Sequence, residues 1–243
     1  MSNLVIPAER AARHGGPDFF KGGAKFAETF EIWGGLSSKD TVLDIGCGPG
    51  RMAIGIGERF NWENDLIGFD VIKIDADICR NVISSQHPNF KFVHVNAWNG
   101  HYNPAGTIQP YEVEFPALDN SIDFAFATSV FTHMYKREAG HYLKECYRVL
   151  KAGGRLFSTW FSITDATSQS KHARLKFSHA LHDGSFTDFP DRPEEVIGFK
   201  YEDITDLFQS SGFKSVTFFQ GDWSKTADRS TVRHGQDVFI CTK

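Results

Sequence analysis

The sequence lacks the features that mark secreted, zinc-binding or membrane-spanning proteins. Its 243 residues include four cysteines, which are scattered without the C-x-x-C spacing of a zinc site or a redox motif. No apolar run approaches the roughly 20 residues that a membrane-spanning helix requires. The first residues, MSNLVIPAERAARHGG, lack the long apolar core of a signal peptide. We therefore expect a reduced, cytoplasmic protein with no membrane partner.

Positive charge is not in excess either. The formal net charge is -4 at pH 7, whereas nucleic-acid-binding proteins usually carry a basic patch or stripe. Ten histidines are present, and His179 and His182 could share one helix face, but no carboxylate stands at a ligand spacing beside them. The composition therefore predicts neither a nucleic-acid partner nor a catalytic metal.

What the chain does contain is enough apolar sequence for one α/β domain. With 41% hydrophobic composition, residues 1–243 suit a single domain with a sizeable core. Short apolar segments alternate with helical patterns, such as the four-residue spacing of Ile74, Ile78 and Val82. This alternation predicts a parallel sheet with right-handed crossovers. The predicted strands cover residues 41–46, 65–70, 90–95, 121–128, 154–161, 213–219 and 236–242.

Three segments interrupt this alternation of predicted strands and helices. Residues 1–40 form an N-terminal arm, which is predicted to be irregular over its glycine-containing first part, 1–25, and then helical from Phe26. The connection 97–120 is too long for a routine loop and is either functional or mobile. Residues 162–200 are polar and are predicted to form an inserted helix and loop. Because the arm and the insertion border the expected site, we expect both to cover it.

The stretch VLDIGCGPG at 42–50 places an apolar strand, a glycine-rich turn and the start of a helix in succession. Gly46, Gly48 and Gly50 let the backbone turn sharply and approach a ligand, while amide N–H groups at the helix start point outward. Such a turn alone occurs in many nucleotide-binding sheets. Asp44 favours one class of ligand over another. A carboxylate at the end of this strand would repel a pyrophosphate and hold an ammonium group.

Asp70 ends the predicted second strand, LIGFD, and lies 24 residues after Gly46. A carboxylate near this distance beyond the glycine turn can accept hydrogen bonds from both hydroxyls of a ribose. An ordinary helix cap or loop acid is the alternative, and a dinucleotide dehydrogenase would show the same pair of features. Asp44 and the G-x-G-x-G spacing instead favour a nucleoside that carries an amino acid.

Two further motifs follow the predicted fourth strand, SVFTHM first and YLKECYRVLKAGGRLFSTWF after it. Together with VLDIGCGPG they resemble the class I S-adenosylmethionine-dependent methyltransferases, in particular those that act on small molecules and sugars. The resemblance covers residues 26–163 well. It implies an α/β fold with a Rossmann-like, doubly wound, seven-stranded and mostly parallel sheet whose last strand is antiparallel. It also implies S-adenosyl-L-methionine as the cofactor.

The same resemblance implies which further residues hold the cofactor. They include Cys47 in the turn, and Thr128 and Ser129 at the end of the fourth strand. Asn96 stands where the family often has an acidic residue that accepts a hydrogen bond from the adenine amino group. An amide oxygen can still accept that bond, and the N–H of Ala97 could donate to the ring. A simple loop asparagine is the alternative for Asn96.

His133 lies just beyond the fourth strand, beside the expected position of the sulfonium methyl group. It is either a catalytic base or a structural histidine. Exocyclic-amine methyltransferases of nucleic acids carry an Asn/Asp-Pro-Pro-aromatic turn at this place, and residues 128–131 lack it. Four aromatic side chains are expected to line the acceptor pocket: Phe131, Trp160, Phe161 and Trp223.

These features predict an S-adenosylmethionine-dependent methyltransferase that acts on a small molecule, preferably on a hydroxyl of a sugar or natural product. A small-molecule N-methyltransferase is the enzyme alternative. A non-catalytic nucleoside-binding protein of the same fold is the alternative from another class, because a fold does not determine a function. No pattern in the sequence predicts an oligomeric state.

Overall fold

The computed structural model describes residues 4–227 and 234–243, which are organised around a seven-stranded sheet. Its strands, numbered β1 to β7 along the chain, are Val42–Ile45, Leu66–Asp70, Phe90–His94, Ile122–Ala127, Leu150–Trp160, Ser215–Phe219 and Asp237–Thr242. Their order across the sheet is β6-β7-β5-β4-β1-β2-β3. Strands β1 to β5 pair in parallel, whereas β7 runs antiparallel to β5 and β6. The predicted Rossmann-like sheet with an antiparallel last strand is confirmed.

Burial on both faces of the sheet explains why these segments form strands. Every residue of β1 is buried, and all but one residue of β2 and of β4 are buried as well. Strands that are mostly apolar and buried along their length are typical of a parallel sheet that is covered on both sides. Leu43 and Ile45 belong to one core and Val42 to the other, because successive side chains point to opposite faces. The strand order reverses between β1 and β4, which opens a crevice at their carboxyl ends.

Helices cover both faces of the sheet. The α-helices of the described residues, α1 to α7, are Ala8–Arg13, Phe19–Ile32, Arg51–Arg59, Lys73–Ile78, Lys136–Val149, Asp165–Ser168 and Tyr201–Ser210. Single turns of 3-10 helix are Gly16–Asp18, Pro110–Glu112, Phe131–His133 and Pro193–Glu195, and a π-helical turn, Cys79–Ile83, extends α4. Two-residue strands form two small ribbons, Ser162–Ile163 with Phe199–Lys200 and His179–Ala180 with Phe186–Thr187. None of the helices within the described ranges has the length and apolar character to span a bilayer.

The N-terminal arm is helical where an irregular course is predicted. Gly23 does not interrupt α2 but lets it cross α3 closely, because a Cβ atom on Gly23 would lie 2.2 Å from the carbonyl oxygen of Arg51. A Cβ atom on Gly55 of α3 would in turn lie 2.3 Å from the oxygen of Gly23. Phe19 and Phe30 of α2 are buried in the core. The prediction of an irregular first part is therefore wrong, and α2 is part of the packed domain.

The connection 97–120 folds back on itself beside β3. Bridges join Asn99 to Asn103 and Ala97 to Ile108. These backbone contacts place the start of the connection at the carboxyl end of β3, next to the crevice. The connection is therefore held by contacts within its own backbone, and its role, functional or mobile, stays a prediction.

The insertion 162–200 contains less helix than predicted. Within it α6 covers four residues, and His179 belongs to one of the two-residue strands. His179 and His182 therefore do not share a helix face, and that prediction is wrong. The N–H of Ile197 donates to the oxygen of Thr132 at 2.7 Å, which fastens the insertion beside the end of β4.

Candidate active site

A cavity of about 380 Å³ lies at the carboxyl ends of β1, β2 and β4, in the crevice where the strand order reverses. This volume is within the range typical of small-molecule sites. The walls come from the arm, the glycine turn, the ends of β2 and β4, the connection after β3 and the first turns of α5. The predicted site residues that line the cavity are Gly46, Cys47, Gly48, Asp70, Ala97, Thr128, Ser129 and His133.

Asp70 braces the glycine turn from the end of β2. Its side-chain oxygens accept hydrogen bonds from the N–H groups of Gly48 and Ile72, each at 2.7 Å. Burial raises the pKa of the Asp70 carboxyl, and these two N–H groups oppose the rise. Each carboxylate oxygen has a second lone pair. Asp70 can therefore also accept hydrogen bonds from ribose hydroxyls in the cavity.

The glycines of the turn have two different roles. Gly46, Gly48 and Gly50 have φ angles of 70°, 50° and 85°, which favour glycine. A Cβ atom on Gly46 would lie 2.6 Å from Cγ2 of Val130, on the cavity wall. Gly50 does not line the cavity, and a Cβ atom there would lie 2.0 Å from Cδ1 of Ile83. Gly50 thus allows α3 to pack against the turn that extends α4, contrary to its predicted ligand contact.

Asp44 lies beneath the cavity instead of on its wall. It is 1% exposed, and its Oδ2 has no hydrogen-bond partner among the described residues. Burial, reinforced by Asp70, raises the pKa of the Asp44 carboxyl well above its usual range, while Arg51 opposes the rise. Asp44 is therefore not part of the cavity lining, and its contact with a ligand ammonium group stays a prediction.

Asn96 is also turned away from the cavity. Its Nδ2 donates to Oγ1 of Thr107 at 3.1 Å, and its Oδ1 accepts from Nδ2 of Asn103 at 3.0 Å. Both ends of the amide thus hold the connection 97–120, which is the loop role, and the contact with adenine stays a prediction. Three other residues line the cavity at this strand end: Ala97, Trp98 and Asn99.

His133 ends the 3-10 turn after β4 and contacts two groups. Its Nδ1 is 2.9 Å from the carbonyl oxygen of Glu194, and its Nε2 is 3.2 Å from Oη of Tyr102. A carbonyl oxygen can only accept a hydrogen bond, so the proton of the neutral ring is on Nδ1 and Nε2 carries the lone pair. Burial lowers the pKa of His133 to about 4. The imidazole is therefore neutral at pH 7.

The four aromatic side chains expected around the acceptor do not line the cavity. Phe131 and Trp160 stack with ring centroids 4.2 Å apart and an interplanar angle of 6°, fully buried in the main core. Phe161 and Trp223 form a separate cluster with Phe177. These rings support the elements around the site, and the predicted lining of the acceptor pocket is wrong.

The arm contributes cavity residues that no local pattern indicates. Arg10 and His14 line the cavity. Nε of Arg10 donates to Oδ1 of the fully buried Asp75 at 2.6 Å, and the two residues also form an ion pair. They are 65 residues apart in the chain. Their contact ties α1 to α4 beside the cavity.

Glu138 places a second buried carboxyl on the cavity wall. It is 7% exposed, and its Oε2 accepts a hydrogen bond from the N–H of Tyr135 at 3.0 Å in the first turn of α5. Burial raises its pKa to about 7, and the negative charges of Glu194 and Asp183 add to the rise. The three-residue spacing from Tyr135 is that of a helix-capping box, which is a local signal for its structural role alone.

The walls carry both signs of charge beside apolar surface. Asp70 offers acceptors for ribose hydroxyls, and Val71 and Met134 offer apolar surface to a planar base. The acidic groups on the wall are Asp70 and Glu138 and the basic ones are Arg10, Arg13 and Arg51, which suits a nucleoside that carries both a cationic and an anionic group. Within 4–227 and 234–243, no three His, Cys, Asp or Glu side chains group as metal ligands.

Comparisons with known proteins point to the same chemistry. Residues 42–154 match the methyltransferase domain family. An uncharacterised protein of Haemophilus influenzae is 22% identical over 226 residues, which are 91% of this chain and 77% of that protein. A TehB-like SAM-dependent methyltransferase from Corynebacterium glutamicum has a TM-score of 0.55 and 16% identity, with 97% and 93% of the two chains covered. PigF, solved with SAH, has a TM-score of 0.58 and 15% identity over 92% of this chain.

The chain spans only 56% of the length of PigF, and at such identities the solved structures establish the fold alone. The family match is more specific, because residues 42–154 contain the glycine turn, Asp70 and His133. The same segment supplies the ends of β1, β2 and β4, where the cavity lies. Residues 42–154 thus match the methyltransferase domain family, the fold of the described residues is that of S-adenosylmethionine-dependent methyltransferases, and the cofactor is S-adenosylmethionine.

Proposed function

We propose that this protein transfers the methyl group of S-adenosylmethionine to a hydroxyl of a small molecule, with sugars and natural products as the acceptor class. The main support is His133, which lines the cavity as a neutral imidazole with its lone pair on Nε2. An alcohol must lose a proton as it attacks the methyl group. A positioned base typically adds about 10²- to 10⁴-fold to the rate of such a step.

S-adenosylmethionine, when bound, supplies the electrophilic methyl group. Asp70 would accept hydrogen bonds from its ribose, and the absence of side chains at Gly46 and Gly48 leaves room beside the turn. Ser129 has a φ of 59°, and its N–H donates to Oγ1 of Thr159 at 2.7 Å, which fixes the wall at the end of β4. A rigid wall favours transfer, because holding the acceptor in line with the methyl group supplies much of the acceleration.

A small amine is the second candidate acceptor, and Glu138 favours it. The carboxyl lies on the same wall as His133, with Glu194 and Asp183 close enough to influence its pKa. With a pKa of about 7, Glu138 is partly ionised at neutral pH, and its charged form would attract a cationic amine. A neutral amine already offers its lone pair, so it would not require a base.

Transfer of labelled methyl groups to a panel of sugars, phenols and small amines tests the proposal. We expect labelled product from at least one hydroxyl compound, and loss of that product in His133→Ala while S-adenosylhomocysteine (SAH) still binds in calorimetry. Product from amines alone would support the second candidate. SAH binding without transfer to any acceptor would indicate a non-catalytic nucleoside-binding protein. Binding of NAD in place of SAH would overturn the assignment of the site.

A further inference from the structure

Tyr102 and His133 form a hydrogen-bonded pair on the cavity wall. Oη of Tyr102 and Nε2 of His133 are 3.2 Å apart, and the rings meet edge to face with centroids 5.0 Å apart and an interplanar angle of 88°. Tyr102 lies in the connection 97–120, whereas His133 follows β4. Both side chains line the cavity. The fold thus brings together two groups that no motif connects.

Asn99 holds these two residues at this distance. Its Oδ1 accepts a hydrogen bond from the N–H of Tyr102 at 2.9 Å, and its Nδ2 donates to the backbone oxygen of His133 at 3.1 Å. Asn99 is 9% exposed, so one buried amide links the backbones of both partners. The pair is therefore positioned by the fold and not by a chance approach of two flexible side chains.

The hydrogen bond between the pair has one direction. The Nδ1–H of His133 donates to the oxygen of Glu194, so Nε2 of the neutral ring can only accept. The phenol of Tyr102 must then be the donor. Nε2 is occupied by this bond, whereas the lone pairs of the Tyr102 oxygen remain available to a molecule in the cavity.

We propose that Tyr102 is the residue that contacts the acceptor hydroxyl, and that His133 takes up the proton through it. This inference rests on the proposed transfer to a hydroxyl. The acceptor oxygen forms a bond to the methyl carbon while the carbon–sulfur bond breaks and its electron pair returns to sulfur. The acceptor proton passes to Oη of Tyr102 as the phenolic proton passes to Nε2 of His133. The imidazolium then releases a proton to solvent, and both side chains regain their first state.

The protonation states of both side chains suit this relay. Tyr102 is 36% exposed, and partial desolvation by its surroundings raises its pKa to about 12, so the phenol keeps its proton at neutral pH. Burial lowers the pKa of His133 to about 4, so its Nε2 remains a hydrogen-bond acceptor. A donor and an acceptor therefore face each other over the whole neutral range.

Tyr102→Phe tests the relay, because phenylalanine keeps the ring and its edge contact while it removes the hydroxyl. With an acceptor identified by the panel, we expect kcat to fall by about 10²-fold or more, as in His133→Ala. The affinity for SAH should be nearly unchanged. Residues that act as one unit are not additive, so the double variant should be no slower than His133→Ala. Tyr147→Phe, at a ring outside the cavity that packs against Lys243, is the matched control and should keep its activity.

A second measurement does not depend on turnover. Nitrogen NMR of the full-length protein with isotope-labelled histidine reports the hydrogen bond at Nε2 of His133. Tyr102→Phe should move this resonance toward that of an imidazole nitrogen without a donor, and Tyr147→Phe should leave it in place. An unchanged resonance in Tyr102→Phe would overturn the contact on which the relay depends.

The outcomes separate the relay from the proposed function. Full activity in Tyr102→Phe, beside an impaired His133→Ala, would overturn the relay and make His133 the direct base. A wild-type protein that binds SAH and methylates no hydroxyl compound would refute the proposed function, and the relay would fall with it. The first failure requires an active wild-type enzyme, so the two are distinguishable.

Discussion

Replacing Glu138 with glutamine isolates the effect of one buried carboxyl on stability. The amide oxygen of glutamine can accept the hydrogen bond that the N–H of Tyr135 donates to Oε2 of Glu138, because Glu and Gln both serve in a capping box. The substitution therefore keeps the cap of α5 and removes the ionisable group. Since Glu138 is 7% exposed, its charge is poorly screened by water.

The pKa of Glu138 determines the sign and the size of the effect. Burial raises it from its ordinary value near 4.5 to about 7, so the folded protein binds this proton more tightly than the unfolded chain does. The favourable contribution is fully present below the unfolded pKa and is lost as the pH rises through the folded pKa. At 1.36 kcal/mol per pH unit, the loss amounts to about 3 kcal/mol. Glu138→Gln should therefore match the wild type near pH 4 and exceed its free energy of unfolding by about 2–4 kcal/mol above pH 8.

Urea unfolding of both proteins at low and at high pH measures this difference. Glu202→Gln is the matched control, because Glu202 lies in the first turn of α7 and is exposed. Its effect on the free energy of unfolding should be small, because the side chain is exposed. If the difference between Glu138→Gln and the wild type is the same at both pH values, burial does not hold the carboxyl protonated and the reasoning fails.

Three further predictions concern the cavity. Asp70→Ala should weaken SAH binding by about 1–3 kcal/mol in calorimetry, because it removes a charged acceptor for the ribose and the hydrogen bond that supports the glycine turn. Unchanged affinity would place the ribose elsewhere. His133→Ala should lower kcat by about 10²-fold or more. Because the pKa of His133 is about 4, wild-type activity should stay level down to about pH 5 and fall at lower pH as the imidazole becomes protonated. A loss of activity with a midpoint near pH 6.5 would show that burial does not lower the pKa of His133. Arg10→Ala should speed hydrogen exchange in α1 and not in α2, because it removes the guanidinium that pairs with the buried Asp75 and leaves His14 beside that carboxylate. Exchange in α1 at the wild-type rate would show that the pair of Arg10 and Asp75 does not hold the arm.

Local patterns were sufficient to predict the sheet and the crevice at its edge. A strand buried on both faces must be apolar along its length, and that requirement is visible in a short stretch of sequence. The carboxyl ends of parallel strands meet at one edge, so residues that directly follow a strand face the same crevice. For this reason Asp70 and His133, each named from its place after a strand, both line the cavity.

The direction in which a side chain points depends on neighbours that a short stretch does not contain. Asp44 and Asn96 lie at the predicted strand ends, yet one is buried beneath the turn and the other holds the connection after β3. Glycine is ambiguous for the same reason. Gly23 lies in a glycine-containing stretch that is typical of a loop. In the structure it belongs to α2, where the absence of a side chain lets the carbonyl oxygen of Arg51 in α3 approach closely.

The sequence by itself thus determined the order of the elements, the glycine turn and the crevice, because each depends on residues close together in the chain. The tertiary structure alone decided which side chains meet there. Arg10 reaches Asp75 across 65 positions, and Tyr102 reaches His133 across 31. Contacts at such separations form only once packed helices and strands fix the distance between their backbones, so no local pattern encodes them.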